Sequence, residues 1–321
     1  MIQISKVPKV CALVPFKNES HNFKTFFQNL DKVVDLVIGF DDNSIDDSKG
    51  IFKEFGGILI DYKGESHWGR GGQRLVRNKL LETGRNLGGT HFLILDADEF
   101  LSSNYLDNAK NDILNLSPGK ALALPWVNLW KSFDQVCGQG TPWAPMLKDF
   151  AFADSENTSY PEGLIHFSRT PISAIDGAWI KSNFDGAVIH TQFAQWKRTQ
   201  LKQAWYRCLE LVYTQQKARH VNFTYEITKE KMVNSVVKIN KDWIEGITFP
   251  SDLEDFELDW HAKEILNWFE EKGPIFFERL DIWHIKPLRD YFEANVGRSP
   301  RKPLYPSVFR KQAAVIRGKF A

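Results

Sequence analysis

The chain has 321 residues, 43% hydrophobic and 25% charged, with 41 Lys/Arg against 40 Asp/Glu and a net charge of +1. That is ordinary globular composition, which excludes a disordered or fibrous chain, and the length predicts about two domains or one with an appendage. Cys11, Cys137 and Cys208 lie far apart with no CxxC pair, which argues against a thiolate zinc site and fits a reducing compartment.

The opening MIQISKVPKVCALVPF has no long apolar run before a small-residue cleavage site, so no signal peptide is expected. No stretch approaches the about 18 apolar residues of a membrane span. A cytoplasmic protein follows as the expectation. Val10–Phe16 (VCALVPF) reads as a strand ended by the polar Lys17-Asn18-Glu19-Ser20. Phe23, Phe26, Phe27 and Leu30 then recur at helical spacing. Asp35–Phe40 is a second strand closed by the turn-rich DDNSIDDS. Ile51, Phe52 and Phe55 mark a short helix before a strand at Ile58–Asp61, and Leu75, Leu80 and Leu81 mark another helix. His91–Leu95 is a fourth strand that ends in acid. Strands separated by helices predict an α/β fold with a parallel sheet and right-handed crossovers. In such sheets ligands collect at the carboxyl ends of the strands.

Residues 117–195 are rich in Trp, Pro and Gly, with strand-like pieces ALALPWV, GLIHF and GAVIH. From Trp196 the chain turns helical, with Leu201, Trp205, Leu209 and Val212 at three- to four-residue intervals. Trp260–Glu271 is a further helix stopped by Gly273-Pro274, and acidic Ser251–Asp259 reads as a solvated loop. The expected division is therefore 1–195, a nucleotide-binding α/β domain, and 196–321, a mainly helical region. Residues 284–321 carry nine Lys/Arg against two acids, so the tail is basic and the rest mildly acidic. Such a tail suits an anionic membrane surface or nucleic-acid phosphates, or is simply solvated.

The sharpest chemical feature is LILDADEF, residues 93–100. On an extended chain positions i and i+2 share a side, so Asp96 and Asp98 would present two carboxylates together past a buried strand. Hard oxygen ligands there suit Mg²⁺ or Mn²⁺ bridging to phosphates, and the alternative is a solvated acidic turn. The second strand also ends in acids, Asp41-Asp42-Asn43-Ser44, able to meet a base or ribose or to form a turn and helix cap. Gly69-Arg70-Gly71-Gly72 is not a dinucleotide fingerprint, and no P-loop pattern occurs.

VPFKNES, GFDDNSIDDS, RLVRNKLLE and FLILDADEFL, in that order, resemble the motifs of family 2 nucleotide-sugar glycosyltransferases, of the bacterial lipopolysaccharide and surface-glycan type. The resemblance covers about residues 8–105 well and 106–210 loosely. It implies a GT-A fold, a Rossmann-like sheet flanked by helices with a helical C-terminal extension. It implies that Pro15, Asn18 and Glu19 line a nucleotide pocket, that Asp41 meets the base, uracil by preference, and that Arg77 approaches the donor diphosphate or shapes its pocket. Asp96 would touch the ribose or the metal shell, and Asp98 would hold Mn²⁺ or Mg²⁺. Many bacterial members carry a histidine after a short strand and then a helix with Lys and Tyr, here His190, Lys202 and Tyr206; His190 would complete the metal shell or be structural. Relatives often show His-Glu with the glutamate as base, but here His166 is followed by Phe167. Glu162, Asp176, Asp185 and His166 are left as candidates, with Glu162 favoured by its distance from the acidic motif.

The expected reaction is inverting transfer from a UDP-sugar to an acceptor hydroxyl on a surface glycan or glycolipid. The metal, with Arg77 or Lys181, would offset charge on the departing diphosphate. Trp126, Trp130, Trp143 and Trp179 supply aromatic faces for an acceptor, though most such rings are core. Two alternatives stand beside this. One is transfer to a nucleic-acid base or a protein, guided by the basic tail. The other is a binding domain that has lost its base.

Overall fold

A computed structural model describes residues 7–62, 72–155, 159–160, 169–171, 179–181, 186–214, 216–250 and 259–306. They fall into two compact units, Met1–Ala194 with Ser235–Ser251, and Gln195–Asn234 with Asp252–Ala321.

The first unit is built on a sheet that is nine-stranded among the described residues. Strand β1 (Val10–Phe16) lies between β2 (Leu36–Asp41) and β4 (His91–Ile94), and β3 (Ile58–Leu59) is at the edge beyond β2; these four run parallel. Beyond β4 comes β8 (Met146–Ala153), antiparallel to both β4 and β6 (Ala121–Asn128). The far side of β6 pairs in parallel with β9 (Trp179–Lys181) and β10 (Val188–His190), and β5 (Glu99–Leu101) closes the row antiparallel to β10. The architecture is thus α/β with a mostly parallel sheet.

Period-two side-chain alternation decides which helix covers which face. Val10, Ala12, Val14 and Phe16 face α1 (Ser20–Leu30), α2 (Ser48–Glu54) and α4 (Leu106–Leu114), packing with Phe23, Phe26, Leu30, Phe52 and Ile113. Cys11 and Leu13 face α3 (Gln73–Asn86) through Val76, Leu80 and Leu81. A Cβ on Gly39 of β2 would come within 2.4 Å of the Phe52 ring, so the strand needs glycine where α2 crosses. The order of these strands reverses at β1: the chain moves outward through β2 and β3, then crosses back to β4. The carboxyl ends of β1 and β4 therefore flank a switch point, the place where open α/β sheets bind ligands.

A two-stranded sheet of β7 (Gln135–Cys137) and β11 (Val236–Lys238), with the short helix α7 (Lys241–Ile244), completes this unit. The second unit is helical. Helices α5 (Trp196–Tyr213), α6 (Ala218–Thr224), α8 (Trp260–Lys272) and α9 (Lys286–Val296) enclose a core including Leu201, Cys208, Val221, Ile265, Phe269, Leu288 and Phe292. Of the acidic loop expected at Ser251–Asp259, residues 251–258 lie outside the described residues. The Asp259 side chain is largely covered, and its carboxylate caps α8 by accepting from the His261 amide at 2.8 Å. Arg298 and Arg301 of the basic tail both pair with Glu278, while 307–321 lie outside the described residues. Among the described residues no helix is long and apolar enough to cross a membrane.

Candidate functional site

The loops after β1 and β2 are laced together by polar side chains. Asn18 adopts a left-handed backbone (φ 55°), and its amide donates to Ser44 Oγ at 2.8 Å. Its side-chain Oδ1 accepts from the Ile45 amide at 2.7 Å, while its buried Nδ2 has no hydrogen-bond partner among the described residues. The Glu19 amide donates to Ser48 Oγ at 2.8 Å, and Asn22 Nδ2 donates to the Glu19 carboxylate at 2.6 Å. Pro15 sits within β1, in register with Phe40.

Asp41 ends β2 with its carboxylate turned into its own loop. It accepts from the Ser44 amide at 3.1 Å, an Asx-type turn, and pairs with Lys49 Nζ at 3.1 Å. Asp46 accepts from Ser20 Oγ at 2.7 Å and from the Ser48 amide at 3.1 Å. Those hydrogen bonds hold its carboxyl below the usual range although burial works the other way. Arg77 is buried on α3, with its guanidinium 5.9 Å from the centroid of the Tyr160 ring. Asn78 Oδ1 accepts from the Tyr160 amide at 3.3 Å, and Tyr160 Oη donates to the Arg169 carbonyl at 2.8 Å.

The acidic motif departs from the extended chain expected of it. After β4 the backbone turns, with the Glu99 amide donating to the Asp96 carbonyl at 3.0 Å, and the carboxylates of Asp96 and Asp98 meet different partners. Asp98 Oδ2 lies 3.3 Å from His190 Nε2, and Asp96 Oδ2 lies 3.4 Å from Arg169 Nη2. Asp96 Oδ1 is buried with no hydrogen-bond partner among the described residues. Two of the three expected metal ligands are thus together, and the third leans toward an arginine. Among the described residues no three His, Cys, Asp or Glu side chains are gathered to hold a metal.

The turn is fixed from beneath by Glu99, whose side chain is fully buried. Its carboxylate accepts from the Asp96 amide at 2.9 Å, from Trp126 Nε1 at 2.8 Å, and from both terminal nitrogens of Arg169. Burial pushes the Glu99 carboxyl up. Burial also opposes the Arg169 charge, but Glu99 and Asp96 more than offset it and keep the guanidinium protonated. Arg169 is itself located by Thr170, whose amide donates to Asp149 of β8 at 2.9 Å.

His190 ends β10 in register with Asn128 of β6, and its Nδ1 lies 2.9 Å from Asn128 Oδ1. Its ring stacks on Trp126, with centroids 4.8 Å apart and planes at 24°. Lys148 of β8 places Nζ 3.4 Å from the Trp126 ring centroid, and burial together with Arg169 pushes its ammonium down to about 8. Tethered by Glu99 and flanked by imidazole and ammonium, Trp126 is the centre of the site. It stands among the aromatic faces singled out above. Glu99, Asn128, Lys148 and Arg169 carry no sequence signal beyond Glu99's place in the acidic motif.

The candidate bases Glu162, His166, Asp176 and Asp185 lie outside the described residues, as do the 67–71 part of the glycine-rich loop and the side chains of Trp179 and Lys181. Trp130 and Trp143 both pack against Phe193, Trp130 as core. In the second unit Tyr206 stacks on Tyr225.

No family model and no curated protein matches the chain. Among solved structures it is similar to a mannosyltransferase from Pyrobaculum calidifontis in complex with GDP-Man and Mn²⁺, at 14% identity over 91% of this chain and 85% of that one, TM-score 0.35. It is similar to glucosyl-3-phosphoglycerate synthase from Mycobacterium tuberculosis in complex with Mn²⁺, UDP and glucosyl-3-phosphoglycerate, at 15% identity and TM-score 0.27. There the match covers 38% of this chain and 44% of that one, less than half of the synthase. It also resembles 4-diphosphocytidyl-2C-methyl-D-erythritol synthase, at 20% identity over 46% of this chain and 76% of that one, TM-score 0.30. These likenesses are loose, and they carry nothing about the chemistry of this chain.

Proposed function

We propose that the chain is a metal-dependent glycosyltransferase of family 2, inverting, with a UDP-sugar as donor and the hydroxyl of a surface glycan or glycolipid as acceptor. The observation that supports this most is the pairing of Asp98 with His190 at the carboxyl ends of two sheet strands, 3.3 Å apart. Ligands about 2.1 Å from an octahedral ion stand about 3 Å apart in adjacent positions, so the carboxylate and imidazole have the spacing and donor chemistry of two neighbouring Mn²⁺ or Mg²⁺ ligands. Asn128 orients the imidazole from its other nitrogen, as partners of metal-binding histidines do. The Oδ1 of Asp96, buried without a hydrogen-bond partner among the described residues, fits a ribose hydroxyl or an ion-bound water.

When bound, the ion offsets charge gathering on the departing diphosphate. The protein's own part is to hold the donor still. Pro15, Asn18 and Glu19 border the nucleotide. Asp41 and Arg77, each turned into local structure, act by shaping that pocket. Glu99 and Arg169 fix the backbone from which Asp96 and Asp98 project. Glu162 or His166 takes the acceptor's proton as the hydroxyl attacks from the face opposite the diphosphate.

The test is nucleotide-sugar hydrolysis by the full chain with Mn²⁺, read as UDP release. Asp98→Ala should lower turnover at least about 100-fold, the scale of losing one transition-state charge contact. Mn²⁺-dependent UDP binding should disappear with it. Turnover that survives both Asp98→Ala and EDTA would sink the proposal.

A further inference from the structure

The charged groups around Trp126 nearly all have direct partners. Asp98 faces His190, Glu99 and Asp96 engage Arg169, and Asp149 accepts from Thr170. Lys148 does not. It projects from β8 in register with Leu124, half-buried, and makes no hydrogen bond or ion pair with any described residue. Its Nζ lies 3.4 Å from the centroid of the Trp126 ring. Of the surrounding charges, Arg169 repels the ammonium, while Glu99, Asp96 and Asp149 attract it only from a distance.

An ammonium taken from water without a counter-charge costs stability, and an indole face replaces its hydration only in part. A methionine or leucine would fill the same strand position at no such cost. A lysine held against an indole at the carboxyl end of β4, with no counter-ion among the described residues, fits a site completed by an anion. We infer that Lys148 binds an anionic group of a substrate, a phosphate or carboxylate that pairs with its ammonium beside Trp126, where it has no counter-ion among the described residues. Which substrate supplies that group rests on the transferase reading: the donor's diphosphate, or an acid group on the acceptor.

Lys148→Met keeps the stem and removes the charge. The full chain is titrated at pH 7.5 with UDP plus Mn²⁺, with inorganic phosphate, and with uridine as the uncharged control. The inference expects at least a tenfold loss of affinity for UDP or for phosphate in Lys148→Met, little change for uridine, and substantial rescue in Lys148→Arg. Loss toward UDP assigns the donor diphosphate. Loss toward phosphate alone, with UDP intact, assigns an anionic acceptor. If wild type binds phosphate through Lys148 but shows no Mn²⁺-dependent UDP binding, the anion site stands and the donor reading falls. Unchanged affinities, or a wild type that binds neither probe, overturn the inference. The unliganded proteins give a second readout: Lys148→Met should melt no lower than wild type. A fall of more than about 5 °C would mark the lysine as structural and overturn the inference equally.

Discussion

The two groups of loops at the carboxyl edge of the parallel strands handle charge in opposite ways. After β1 and β2, acids and hydroxyls answer one another within the loops: Asp41 with Ser44 and Lys49, Asp46 with Ser20 and Ser48, Glu19 with Asn22. Among the described residues the Nδ2 of Asn18 and the Oδ1 of Asn22 are exceptions. Around the ends of β4 and β10, a carboxylate faces an imidazole, an ammonium on β8 rests on an indole of β6, and one oxygen of Asp96 is buried without a hydrogen bond among the described residues. Loops that satisfy their own donors and acceptors hold a shape. Groups left electrically incomplete on a rigid sheet are where a ligand gains most by arriving. Both sides are acidic in sequence, so composition does not separate them; only the partners do.

The sharpest blow to the second side is Arg169→Met. It would leave Glu99 fully buried with its strongest donor gone, a loss that costs about 3–5 kcal/mol when a buried pair is broken from one side. Chemical denaturation should show that loss, and Glu99→Leu combined with Arg169→Met should recover most of it, since replacing both charges by apolar groups is often neutral. A single mutant as stable as wild type would mean that the pair does not hold the acidic turn.

A smaller effect comes from pH. Lys148 has its ammonium pushed down to about 8 from 10.5, by burial first and then by Arg169, with Glu99, Asp96 and Asp149 opposing. Below pH 8 the charge is present and an anion is held; as pH rises through 8 the charge and the affinity are lost together. Sulfate, whose own charge is constant over this range, should bind about tenfold more weakly per pH unit above 8, each tenfold step being about 1.4 kcal/mol. Lys148→Arg should flatten the profile up to pH 10, because a guanidinium stays protonated. A wild-type profile that is already flat would place the controlling charge elsewhere. The same shift implies that the empty protein gains stability between pH 8 and 10.5, where the unfolded chain binds the extra proton.

The fold was largely legible because β1, β2 and β4 are short apolar runs and the helices between them keep a clear 3–4 spacing. Strand β8 was not. MLKDFAFA carries two charges, Lys148 and Asp149, that lie against Trp126 and Thr170 inside the fold, and that masks the alternation. The site was legible as an address, the end of β4, but not as geometry. Extended-chain spacing predicts a straight segment, whereas the reach of Glu99 back to the Asp96 amide bends it, and Asp96 and Asp98 take different partners, Arg169 and His190. Arg169 and Asn128 meet the motif only through tertiary folding, from 73 and 30 residues away along the chain, and nothing local marks either one. Asp41 reads equally well in sequence as ligand contact or turn former, and its Ser44 and Lys49 partners show the turn-forming role.

Asp41→Asn probes the first side and should have the smallest effect. The asparagine oxygen can still accept from the Ser44 amide, so the turn survives. What disappears is the pair with Lys49, whose side chain is 52% exposed, and exposed pairs contribute about 0–1 kcal/mol. Stability should therefore fall by less than about 1 kcal/mol, and uridine affinity should stay within about twofold of wild type. A tenfold loss of uridine binding at unchanged stability would show that the carboxylate touches the base directly. The self-satisfied side would then be a recognition surface as well as a scaffold, and the contrast between the two groups of loops would be one of ligand type rather than of role.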